Sequence, residues 1–149
     1  MKLTLCSICA STAIAVAAFT GIAGAQDSPQ AVRASLMEDV GKSSKVVGDM
    51  MQGKVAFDAA AAKAALEAIS KDAAAFPNHF PEGSETGETD ALPAIWQNKA
   101  DFDAKAKKLS DDAAAAAVAT DTGEDAFKAA AGAMFGNCKG CHELYRKPS

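Results

Sequence analysis

Apolar side chains recur every three to four residues through most of the chain, the period of helices with one buried face, and no stretch shows the alternation of a strand. Ser28 can cap a first helix with Pro29 in its first turn. Val32, Leu36, Val40, Val47 and Met51 form its stripe, which runs to about residue 52 and stops at Gly53. Asp58 can cap a second helix, carried by Ala59 to Ala62, Leu66, Ile69 and Ala73 and ending near Phe76, ahead of Pro77. Residues 77 to 89, rich in Pro, Gly, Ser and Glu, read as one long loop. A third helix is expected from about Asp90, with Ile95, Phe102, Leu109 and Ala113 on one face and Trp96 packing at its boundary. Thr122 and Asp125 suggest a weak capping box for a fourth, whose stripe is Phe127, Ala131, Met134, Cys138, Cys141 and Tyr145. The pattern predicts an all-α fold, an antiparallel four-helix bundle.

The amino terminus does not belong to this pattern. Lys2, the apolar stretch from Leu3 to Phe19 and Ala23-Gly24-Ala25 read as a secretory signal peptide over residues 1–25, leaving residues 26–149 as one domain. Cys6 and Cys9 would leave with it. Loss of Lys2 gives 14 basic against 19 acidic residues, a formal charge of −5, which argues against nucleic acid as a partner.

The chemistry is concentrated in Cys138-Lys139-Gly140-Cys141-His142. Two thiols three positions apart can form thioether bonds to the vinyl groups of one haem, and the adjacent imidazole can ligate its iron. A structural zinc site would need about four ligands, and outside the export segment only His79 remains to join these three. A disulfide-exchange motif belongs at the start of a helix that follows a strand, whereas this one sits near the end of a helix. The cysteines share the inward stripe with Phe127 and Met134, which places the cofactor, one covalently bound haem c, among the helices. Electron transfer in the periplasm, with redox proteins as partners, follows from an exported haem held in a dry bundle.

The chain resembles the class II c-type cytochromes, the family of cytochrome c' and its low-spin relatives. The likeness covers residues 29 to 147 and rests on four stretches: Arg33-Ala34-Ser35-Leu36-Met37, Phe80-Pro81-Glu82-Gly83-Ser84-Glu85, Pro93-Ala94-Ile95-Trp96, and Cys138 through Arg146. It implies a haem on Cys138 and Cys141, His142 as proximal ligand, Arg33 beside a haem propionate, Phe80 lining the haem, and Arg146 neighbouring the proximal imidazole. It also singles out Met37 on the distal side. There Met37 either ligates iron, as in the low-spin members, or crowds an open position that takes NO or CO; the Leu36-Met37 pair and the loop after Phe80 lean toward ligation.

Other methionines, Met50, Met51 and Met134, read as core filling, and Met134 lies on the same helix as His142. His79 reads as a loop-surface residue. With no distal histidine and arginine pair suited to cleaving peroxide, the chain is not expected to be an enzyme. The resemblance implies a homodimer through the first two helices, to which Val46, Val47 and Met50 add a broad apolar arc on helix one.

Overall fold

The computed structural model describes residues 28–148, and the expected signal peptide lies outside the described residues. Four long helices build it: α1 (Pro29–Met51), α2 (Ala59–Ala75), α4 (Lys99–Ala119) and α5 (Glu124–Tyr145), with a single turn, α3 (Ala94–Gln97), ahead of α4. Two of the expected caps form. Ser28 Oγ accepts from the Ala31 amide at 3.2 Å and Asp58 Oδ1 from the Ala61 amide at 3.0 Å, each satisfying a donor that the first turn leaves free.

The third and fourth helix starts differ from expectation. Asp90 is not helical; the Leu92 amide donates to Tyr145 O at 2.9 Å and the Lys147 amide to Asp90 O at 2.8 Å, around an antiparallel bridge between Ala91 and Arg146. Pro93 follows, and a proline biases the residue before it toward extended backbone, so the helical segment begins only after it. Asn98, at φ −130° and ψ 46°, then separates α3 from α4. The Thr122–Asp125 capping box does not form either. Gly123 occupies the cap position of α5 at φ 129°, a conformation open to glycine, and has no side chain with which to accept.

Two clusters make up the interior. The larger joins Val40, Val47 and Met50 of α1, Leu66 and Ile69 of α2, Ala113, Ala116 and Ala117 of α4, and Phe127, Ala131 and Met134 of α5. The alanines leave little side chain between backbones, which lets α2 and α4 lie close together. Val47 and Met50 are thus part of the core, and of the broad arc on α1 only Val46 is left exposed. The smaller cluster is aromatic. Phe102 lies edge-on to Phe80 and Tyr145, with ring centroids 4.8 and 5.3 Å away, and Phe80 likewise meets Phe76 at 5.0 Å.

α1 packs along α2, α2 along α4 and α4 along α5, but α5 and α1 do not close the ring with comparable backbone contact. Where Gly132 faces the Met51 methyl the two helices meet through side chains. Toward the start of α1 and the end of α5 they part.

Candidate functional site

The parted ends of α1 and α5 enclose, with the aromatic cluster, a cavity of about 800 Å³, within the 300–1,000 Å³ range of cofactor-sized pockets. All seven residues singled out from the sequence line it: Cys138, Cys141, His142 and Arg146 from α5 and its end, Arg33 and Met37 from α1, and Phe80 from the loop after α2. The sequence placed them on three separate segments; the fold brings them to one space.

On the α5 side the helical spacing presents both thiols to the cavity. Cys138 and Cys141 are free and half-buried, and burial pushes both thiols up from their ordinary pKa, Cys141 against a smaller opposite pull from Lys105. That shift favours thiol over thiolate, and both lie toward the C-terminal end of the helix, away from the positive pole that activates an exchange cysteine. His142 lines the cavity although much of it is open to solvent, and desolvation against the wall, then the Arg146 charge, hold its pKa below the usual histidine value. The neutral ring this favours is the form that can donate to a metal. Arg146 itself faces Asp90 across 3.3 Å at the rim.

Across the cavity, Met37 is half-buried and packs against the larger core cluster. Among the described residues it is the only methionine on the wall; Met50 and Met134 are buried in the core and Met51 faces a surface groove with Phe135. Phe80 is buried, while His79 ends the short 3-10 turn Phe76–His79 and does not line the cavity. Trp96 stays off the wall as well. It stacks edge-on to Phe80 at 5.5 Å and donates from Nε1 to Pro81 O at 3.1 Å, the boundary packing expected of it.

Arg33 is the group whose burial periodicity did not foresee. Its side chain donates from Nη2 to Ser84 O at 2.7 Å and from Nε to Pro29 O at 3.0 Å, and its guanidinium lies over the Phe80 ring, 4.6 Å from the centroid. Nη1 is buried without a partner, and among the described residues no carboxylate pairs with the charge. Burial draws its pKa down, yet a guanidinium keeps its proton, so a fixed cation with a spare N–H stands at the cavity wall. An anionic edge beside it, such as a haem propionate, would balance that charge. The donor set, the two thiols and this cation together fit a haem. Other polar groups on the wall, among them Gln30, Lys105 and Asn137, carry no motif; only tertiary contact reveals them.

The sequence profile of the family described as Cytochrome C' matches residues 28–146, nearly the whole described domain. The chain belongs to the cytochrome c' family. It is 43% identical to cytochrome c-556 of Agrobacterium fabrum over 76% of this chain and 77% of that one. Among solved structures it resembles cytochrome c' from Rhodopseudomonas palustris, at 37% identity and a TM-score of 0.79, over 83% of this chain and 99% of that one. A nitric oxide complex of a leucine-to-alanine variant of cytochrome c prime from Alcaligenes xylosoxidans superposes at a TM-score of 0.73 and 30% identity, over 83% of this chain and 99% of that one. Membership in the cytochrome c' family makes this a periplasmic electron-transfer protein rather than an enzyme, and implies one covalently bound c-type haem.

Proposed function

We propose that this cytochrome carries electrons on a haem whose distal iron position is open, screened by Met37, and that NO or CO binds there. The observation that supports the reading is the seat of Met37: its half-buried side chain packs against the apolar core while lining the cavity, so it would crowd whatever occupies that space. The nitric oxide complexes of related cytochrome c prime variants support the same reading. Cys138 and Cys141 would add their S–H groups across the two vinyl groups, leaving two thioethers. His142 would supply the proximal nitrogen, with Arg146 beside it, while Phe80 would help to keep water out of the cavity and Arg33 would meet a propionate. When bound, the haem supplies a one-electron ferric–ferrous couple and a vacant coordination site.

One observation favours the second reading, ligation by Met37: it alone of the described methionines lines the cavity. Optical and electron paramagnetic resonance spectra of the resting ferric protein separate the two. High-spin iron, with carbon monoxide binding faster to ferrous Met37→Ala than to wild type, is expected. Low-spin iron that turns high-spin in Met37→Ala would overturn the open-site reading in favour of ligation. We also propose a homodimer through α1 and α2, with Val46 the residue of the α1 arc left exposed to face a partner; light scattering across a concentration series tests it, and a single-chain mass at high micromolar concentration overturns it.

A further inference from the structure

The Nη2 contact of Arg33 depends on one turn, while Nε is held by Pro29 O of its own helix. Residues 81 to 84 close on themselves, with Ser84 Oγ donating to Pro81 O at 2.7 Å and the Ser84 amide to the same oxygen at 3.3 Å. Gln30, one turn before Arg33 on α1, grips the turn from one side. Its Nε2 donates to Thr86 O at 2.9 Å and to Ser84 O at 3.3 Å. Trp96 holds it from the other side through the Nε1 bond to Pro81 O, with its ring 5.7 Å from the guanidinium carbon. The Ser84 carbonyl is therefore the fixed point against which Arg33 Nη2 is set. Without it the end of the arginine side chain keeps only the Nε bond to Pro29 O and the Phe80 ring, and so regains rotamer freedom and access to screening water.

We propose that Gln30, Ser84 and Trp96 are positioning residues that act through Arg33, holding its cation at the cavity wall so that it sets how readily the haem iron is reduced. A positive charge fixed in poorly polarisable surroundings favours the iron state with one positive charge fewer, so an immobilised Arg33 raises the reduction potential and a mobile one does so less. The inference rests on a haem occupying the cavity and is independent of whether Met37 ligates it.

The test is a mutant cycle read by optical spectroelectrochemistry on the holoprotein at pH 7, with haem content per chain measured in parallel. Trp96→Phe keeps the ring against Phe80 and removes only the N–H donor; Gln30→Ala removes the grip from α1. Each is expected to shift the midpoint potential downward by part of the shift seen in Arg33→Ala, and neither is expected to shift it further when added to Arg33→Ala. Unchanged potentials in both single variants would overturn the proposal, as would an equal shift on the Arg33→Ala background, which would mean an effect that bypasses the guanidinium. Loss of haem from Trp96→Phe and Gln30→Ala while Arg33→Ala retains it also overturns it, because the residues would then be serving the fold. Low-spin iron in the wild type sinks the open-site reading but leaves this cycle readable, whereas a wild type with no haem couple sinks both.

Discussion

The hydroxyl of Tyr145 donates a 2.6 Å hydrogen bond to Asp101 Oδ2, tying the last turn of α5 to the first turn of α4 one helical turn beyond Cys141. That bond, helped by burial, pushes the Tyr145 pKa up to about 12 from an ordinary value of 10.0. The folded pKa lies above the unfolded one, so the contribution is whole below pH 10 and is lost as pH rises toward 12. Tyr145→Phe should cost about 1 kcal/mol at neutral pH, since Asp101 is open to water, and should flatten this alkaline loss. Urea denaturation of both proteins from pH 8 to 12 checks it.

Phe102, 1% exposed, is the hub of the aromatic cluster that walls the cavity. Phe102→Ala removes a ring that Phe76, Phe80 and Tyr145 cannot all move to replace. A loss of about 3–5 kcal/mol in unfolding free energy is expected, measured by denaturant titration.

Gly83 holds φ +82° in the turn beneath Arg33, and a Cβ added there would meet nothing within 4 Å. Gly83→Ala therefore carries a purely conformational cost, about 1–2 kcal/mol, without a steric clash. Thermal unfolding should show the loss, with haem content unchanged.

Asp112 Oδ2 accepts from Lys108 and from Asn137 Nδ2, the latter at 2.8 Å and one residue before Cys138. The Lys108 bond, then the Asn137 bond, holds the Asp112 carboxyl below its usual pKa. Its contribution is present above the unfolded value and is lost as pH falls through the lower folded one. Asp112→Asn should lose stability at neutral pH and show a weaker further decline in acid, read from denaturation midpoints between pH 6 and 2.

Cys138→Ser leaves Cys141 as the one thioether anchor, and Cys138→Ser with Cys141→Ser leaves none. Acidified organic solvent should extract haem from the double variant and not from wild type. Absorbance of the extract against that of the protein pellet measures it.

Features local along the chain were legible before the fold: the helical period, the Ser28 and Asp58 caps, and the Cys-x-x-Cys-His spacing that puts both thiols on the cavity side of α5. Helix period and capping depend on residues within a turn or two of each other, so they can be read without the fold. Family likeness in the four short stretches added Met37, Arg33, Phe80 and Arg146, which no local rule marks out. Tertiary structure decided the rest. The third helix starts late because residues 90 to 92 pair with the end of the chain, and periodicity has no knowledge of a partner strand so distant. Arg33 is buried because a carbonyl 51 residues further along meets its guanidinium, although a helix charge taken alone reads as solvated. The gap between α1 and α5 is likewise a property of four helices packed together: each stripe says which face turns inward, and only their joint packing fixes where two inward faces stay apart.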